Sequence, residues 1–259
     1  MPPSAPLAGK KVWVTGGAGY LGAPIVRALD EAGAATVCLD LPGRAAALVA
    51  AHGLRHTVAV DADLADVAAL PALVNRLAEA HGAPDGLAHL AFASSAGKRL
   101  EELTAAEFQH TFDAALTPAF VLARAVAEQM RPRGSGSVVL FASMYGVVAP
   151  DPGAYPAPLT PNPIDYGASK AAVLQLARYL AVHYGRAGLR FNCITPGPFP
   201  NPTVQQNHPA FVAGIGRKTA LGRIGRNDEI VGPTLFLLSE ASAYVTGHSL
   251  VVDGGWTAW

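Results

Sequence analysis

Seven short apolar runs alternate with amphipathic segments along the chain, and this alternation limits the possible folds more than any other feature. The runs are KVWVT (11–15), ATVCLD (35–40), LRHTVAV (54–60), GLAHLAF (86–92), SVVLFAS (137–143), LRFNCIT (189–195) and SLVVD (249–253). Between them, helical patterns occupy 20–33, 43–52, 66–81, 104–130, 164–184 and 228–238, with Thr104 as N-cap and Glu107 in the capping-box position of the longest. Strands apolar on both faces belong inside a parallel sheet covered by helices on two sides. Right-handed β-α crossovers then give an α/β fold: a doubly wound, seven-stranded parallel sheet with helices on both faces. No polar linker or shift of composition interrupts it, so one domain over 1–259 is expected, with irregular loops at about 144–165 and 197–220. Both loops follow the C-terminal ends of strands, where open α/β sheets bind ligands. The first holds six prolines between 148 and 163.

Composition narrows the partners. Nineteen basic residues against nineteen acidic leave no net charge, which excludes nucleic acid, because a phosphate backbone needs a basic face. Hydrophobic residues reach 51% and charged ones only 15%; the excess must go into a core or a subunit interface. A subunit contact is also the place expected for Trp256 and Trp259. The longest apolar run, 138–149, is broken by Ser143 and Gly146 and is too short to span a bilayer. The start, MPPSAPLAGKK, lacks the apolar run of a leader peptide. Cys38 and Cys193 sit in strand-like runs and read as buried free thiols of a reducing, cytoplasmic protein. The histidines are scattered without metal-ligand spacing, so no metal is expected.

The first strand runs into TGGAGYLG (15–22), where Gly16, Gly19 and Gly22 have GxxGxxG spacing between strand and helix. Such glycines allow a tight turn, close approach of backbone to a pyrophosphate, and close packing of helix on strand. Asp40 ends the second strand at the distance expected of an acid that holds a ribose and repels a 2′-phosphate, favouring NAD over NADP. Arg44 is the counterweight. Asp63 and Leu64 follow the third strand, where either an adenine contact or a helix cap is expected.

Tyr166 and Lys170 are four apart on one helix face. An ammonium near a phenol favours the phenolate and makes tyrosine a usable acid/base. The spacing alone is weak. Ser143 strengthens it, because it ends the fifth strand and can converge on the same sheet edge.

Together these pieces resemble the short-chain dehydrogenase/reductase family in its compact form. The matching segments are TGGAGYLG, Asp40, DADL (61–64), FASMYG (141–146), YGASK (166–170), RFNCITPGP (190–198), LGRIGRNDEI (221–230) and YVTGHSLVVDGGW (244–256). The resemblance implies a Rossmann fold in which Tyr166 is general acid/base, Lys170 lowers its pKa and holds the nicotinamide ribose, and Ser143 orients the substrate. It also implies that Tyr20, Leu21 and Ala91 line the cofactor, that Pro196 and Gly197 lie along the nicotinamide with Phe199 near its carboxamide, and that 198–220 is a substrate lid. A homotetramer or homodimer, built partly on the two long helices, is implied as well.

Three departures stand out against that family. The glycine spacing is that of the extended branch, with Tyr20 at the compact branch's second glycine. HLAF (89–92) replaces NNAG, placing Phe92 at that motif's glycine. Ala115 stands where a proton-relay asparagine is usual, leaving water, His89 or His110 to take over. The interval from Ser143 to Tyr166 is long, filled by PDPGAYPAPLTPNP (150–163) with Tyr155 inside it, where either substrate contact or packing is expected. Lid residues Gln205, Gln206, Asn207 and His208 read as a solvated loop or as polyol contacts. Lys98, Arg99, Arg217 and Lys218 read as surface charges or anion ligands. The preferred reading is an NAD(P)-dependent oxidoreductase moving a hydride between nicotinamide and a secondary alcohol or ketone, sugar- or polyol-like. The alternatives are a non-redox epimerase or dehydratase on the same scaffold, and a non-catalytic dinucleotide binder.

Overall fold

The computed structural model describes residues 7–93 and 97–259. The leader expectation rests in part on residues 1–6, which lie outside the described residues. The strands are β1 (Lys11–Thr15), β2 (Ala35–Asp40), β3 (Thr57–Asp61), β4 (Gly86–His89), β5 (Gly136–Phe141), β6 (Leu189–Pro196) and β7 (Ser249–Val252). They form one sheet in the order β3-β2-β1-β4-β5-β6-β7, and every neighbouring pair is parallel. The expected doubly wound parallel sheet is therefore present. The chain reverses direction across the sheet between β1 and β4, which opens a crevice at their C-terminal ends.

The helices are α1 (Gly22–Glu31), α2 (Arg44–His52), α3 (Leu70–His81), α4 (Ala105–Thr111), α5 (Thr117–Met130), α6 (Ile164–Tyr184), α7 (Pro202–Asn207), α8 (Pro209–Arg217) and α9 (Val231–Leu238). Alternate strand residues feed two cores. Trp13, Leu87, Val138, Leu140 and Phe191 pack with α3, α5 and α6. Val12, Val14, Cys38, Ala88 and Val139 pack with α1 and α9. Both cysteines are free and buried. Among the described residues, no helix is long and apolar enough to cross a membrane.

Several boundaries differ from the sequence expectation, each for a local reason. The third strand starts at Thr57, not Leu54, because Gly53 closes α2 in the left-handed conformation and Asp30 binds the next residues. Its carboxylate accepts from Arg55 N at 3.2 Å, His56 N at 2.7 Å and Thr57 Oγ1 at 2.8 Å. The fourth strand stops at His89, where its pairing with β5 ends.

The long 104–130 helix is divided. Thr104 and Glu107 form the expected capping box, but a π-helical turn, Phe112–Leu116, separates α4 from α5. Pro118 explains it: proline has no amide to donate, and its ring crowds the carbonyl four residues back. The segment 197–220, expected to be irregular, carries α7 and α8, each with proline in its first turn. Trp256 is not left over for a partner. It is buried against Met144, Tyr145 and Ile215 of the same chain, whereas Trp259 is exposed.

Partial burial works against the Asp30 carboxylate, but its hydrogen bonds from Thr57, His56 and Arg55 hold its pKa below the ordinary value. A depressed carboxyl contributes stability above its unfolded pKa and loses it as pH falls through the folded value. Asp30→Ala should cost about 1–2 kcal/mol at pH 7. Urea unfolding should show that gap closing as pH falls below the ordinary carboxylate range.

Candidate active site

The β1–α1 turn is built around missing side chains. Gly16 has φ +67°, and a Cβ there would lie 2.8 Å from Ala91 N; a Cβ on Gly22 would lie 2.2 Å from Gly16 O. Neither position tolerates a side chain without moving backbone. Gly19 donates to Gly16 O at 3.1 Å. Gly17, not singled out by its spacing, is equally confined: a Cβ there would be 2.6 Å from Cys38 Sγ. Leu21 is the N-cap of α1 and offers no side-chain cap. A glycine cradle leading straight into a helix N-terminus suits a pyrophosphate, so these residues fit a dinucleotide.

Asp40 ends β2 beside this turn. Its carboxylate accepts from Ala18 N at 2.8 Å and from Leu41 N at 2.9 Å, and Arg44 pairs with it at 3.1 Å. Arg44 is thus spent on the acid. Asp63 is exposed and accepts from Ala65 N, a local turn, while the helix-capping role falls to Asp66. Leu64 has its side chain in the core, which leaves only its backbone to face a ligand. Ala91 meets the glycine turn through its amide nitrogen. Tyr20 reaches α7 and the segment before α9: Gln205 Nε2 donates to its hydroxyl at 3.4 Å and Asn227 Nδ2 to its carbonyl at 3.2 Å. Pro196 closes β6, and Gly197 packs where a Cβ would be 2.4 Å from Asp253 Cα. The Phe199 ring lies against Gly225, where a Cβ would come within 2.4 Å of it.

Ser143, Tyr166 and Lys170 meet at the C-terminal edge of β5. Ser143 is buried, and its Oγ accepts from Tyr145 N at 3.2 Å. Its hydroxyl also stands near enough to the Tyr166 phenol to act on it. Tyr166 lies in the first turn of α6. Lys170 is buried one turn later and donates to Phe141 O at 2.8 Å. Its Nζ is 5.8 Å from the Tyr166 ring centre and 4.9 Å from that of Phe92. Phe92 in turn packs edge-on to Tyr166, at 5.7 Å between ring centres.

The electrostatics differ from the sequence expectation. Burial pushes the Tyr166 phenol above its usual pKa, and the Ser143 hydroxyl pulls it partly back. Lys170 does not lower it in this structure. Instead, burial lowers the amine itself to about 8, because its one hydrogen bond is to a neutral carbonyl.

Other residues were not legible. Asp165, next to Tyr166, is fully buried and accepts a hydrogen bond from Thr111 Oγ1, tying α6 to α4. Gly146 packs against the α6 backbone, where a Cβ would be 2.7 Å from the Lys170 carbonyl carbon. Ala115 is buried in the π turn. His89 is buried too, its Nδ1 2.7 Å from Thr15 Oγ1, and Nε2 has no partner among the described residues. Burial, then the Lys170 charge, lower it to about 3, so the ring is neutral. His110 is exposed. The surface charges are partly paired: Lys98 with Glu107, and Lys218 with Asp151.

A buried amine with a depressed pKa penalises the fold below pH 8, and the penalty is relieved as pH rises from 8 towards the unfolded value. Lys170→Met should abolish turnover yet unfold at a higher temperature than wild type at pH 7. Thermal melts should show this advantage shrinking by about 2–3 kcal/mol at pH 10.

Comparison with known proteins agrees with this geometry. A family model described as enoyl-(acyl carrier protein) reductase matches residues 17–257. The chain is 32% identical over 249 residues to the cis-4-hydroxycyclohexanecarboxylate dehydrogenase of Sinomonas cyclohexanicum, covering 95% of each protein. Its structure is similar to the crystal structure of a short chain dehydrogenase from Leptospira borgpetersenii with bound NAD+, with TM-score 0.85, 29% identity, and 97% and 94% of the two chains covered. It is also similar to a gluconate 5-dehydrogenase from Burkholderia cenocepacia in complex with NADP and tartrate, with TM-score 0.86, 29% identity, and 98% and 97% covered. A glycine turn at the sheet's switch point, a Ser-Tyr-Lys cluster beside it and matches over nearly the whole length lead to one conclusion: the chain belongs to the short-chain dehydrogenase/reductase family of NAD(P)-dependent oxidoreductases.

Proposed function

We propose that the chain is an NAD-preferring dehydrogenase that interconverts a secondary alcohol and its ketone, on a polyol, sugar-like or oxygenated cyclic substrate. The observation that carries this reading is the Tyr166 phenol, with the Ser143 hydroxyl beside it and the Lys170 amine one turn away. When bound, the nicotinamide supplies the acceptor for the hydride. In oxidation, Tyr166 takes the proton from the substrate hydroxyl oxygen. Ser143 donates to that same oxygen and holds it in place. Lys170 is the cation that a Tyr166 phenolate faces, and below about pH 8 it is charged.

The preference for NAD rests on Asp40, a carboxylate at the ribose end of the crevice that repels a 2′-phosphate. The neighbours hold both cofactors, NAD+ in one and NADP in the other, so Asp40 is the discriminating feature. The substrate class is supported by the two dehydrogenases named above, one for a hydroxycyclohexanecarboxylate and one for gluconate. The chain also works as a homotetramer or homodimer. Phe120 on α5 and Tyr179 and Val182 on α6 are exposed apolar residues, and a second copy of the same face would cover them. The buried thiols of Cys38 and Cys193 suit a reducing cytoplasm.

Incubation with NAD+ and a panel of polyols, hydroxy acids and cyclic alcohols should produce NADH absorbance, with NADP+ a poorer partner. Tyr166→Phe should lower kcat by about 10²–10⁴ while calorimetry finds NAD+ bound nearly as tightly as before. A fully active Tyr166→Phe would remove this mechanism.

A further inference from the structure

The proline-rich loop delivers a second pair of hydroxyls to the site. Tyr145 Oη and Tyr155 Oη lie 2.5 Å apart. A hydroxyl has one hydrogen to give. Two phenols therefore hold two, and their mutual bond uses one. Whichever phenol donates, the other hydrogen has no acceptor among the described residues. With Tyr145 donating to it, Tyr155 keeps its own hydrogen free.

The pair is a fixed and neutral donor. Burial raises both phenols above their usual pKa. Tyr145 is buried in the cluster with Met144, Ile215 and Trp256. The Tyr155 ring packs on Phe211 of α8, 5.1 Å between centres. Asp151 and Lys218 form an ion pair that ties the same loop to the residue after α8. The pair also faces the reacting group: Tyr155 lies close enough to Tyr166 to raise its pKa, and Tyr166 acts likewise on Tyr145. The Tyr166 side chain packs against this same small cluster.

We infer that Tyr145 and Tyr155 form a second-oxygen subsite, in which the unspent hydroxyl hydrogen binds an oxygen of the substrate other than the one that Tyr166 and Ser143 hold. The subsite selects diols and hydroxy acids over simple alcohols. This rests on Tyr166 being the acid/base of an alcohol dehydrogenase. A substrate without the second oxygen leaves this half-buried donor without its partner, which is how such sites discriminate.

The test compares kcat/KM with NAD+ for cyclohexanol, cyclohexane-1,4-diol and cis-4-hydroxycyclohexanecarboxylate. Wild type should prefer one or both oxygenated alcohols at least tenfold. The diol and carboxylate arms separate a hydroxyl acceptor from an anionic one. Tyr155→Phe and Tyr145→Phe should each reduce the preference by roughly tenfold, chiefly through KM, as expected for one neutral hydrogen bond. A purely structural role would lower all three rates together and leave their ratios intact. Wild type that turns over cyclohexanol as well as the others overturns the subsite alone. So does an unchanged ratio in whichever variant folds. Wild type that turns over none of the three counts against the dehydrogenase reading as well.

Discussion

The hydrogen bond from Lys170 to the carbonyl of Phe141 sets the position of everything else at the site. It joins the first third of α6 to the last residue of β5 at 2.8 Å. Ser143 follows that strand by two residues, and Tyr166 precedes the lysine by one helical turn. One polar contact therefore fixes the serine against the phenol. Gly146 lets this happen, since any side chain there would push α6 away from the turn after β5. The contact is costly, because an ammonium bonded to a neutral carbonyl in the interior recovers little of its lost hydration. The fold tolerates it because Thr111 and Asp165 fasten the same helix from its other side.

The buried polar groups divide by edge of the sheet. At the C-terminal edge lie Thr15, Asp40, His89, Ser143 and Lys170, and several of their polar atoms face one another or the glycine turn. At the other edge, Arg190 spreads its guanidinium over the carbonyls of Leu237 and Ser239 and the hydroxyl of Ser242. Ser137 also binds the Leu237 carbonyl, at 2.7 Å. These contacts consume carbonyls left over at the end of α9, so that edge secures the fold while the opposite edge keeps donors in reserve. A parallel sheet makes this division natural, because all its strands end on one side.

The fold was legible because a strand buried on both faces can only be apolar, and that signal survives in a single sequence. The glycine turn, Asp40 and the Ser-Tyr-Lys cluster were legible because their residue types and spacing are constrained together. What stayed hidden depends on contacts between distant segments. Nothing local in Asp165 announces that Thr111, more than fifty residues away, will bind it. Trp256 reads as a terminal aromatic in need of a partner until Met144 and Ile215 are seen to enclose it. Pro118 did carry a signal, since a proline inside a helical pattern must break it, but hydrophobic periodicity runs through the π turn without a mark. The reversal in Tyr166 electrostatics was hidden for the same reason. Spacing puts an amine beside a phenol, but only the packing shows that the amine is bonded elsewhere and that burial dominates both.

Phe92 shows how these levels combine. As a sequence feature it is a departure, a large ring where the resemblance expects glycine. In the structure it lies over the Lys170 ammonium and edge-on to Tyr166, and it is more than half exposed. A ring face attracts a cation, and the attraction grows when water is excluded, so Phe92 offers the amine a partial replacement for solvent that a glycine cannot. Burial still dominates both groups: it raises the pKa of the tyrosine and lowers that of the lysine.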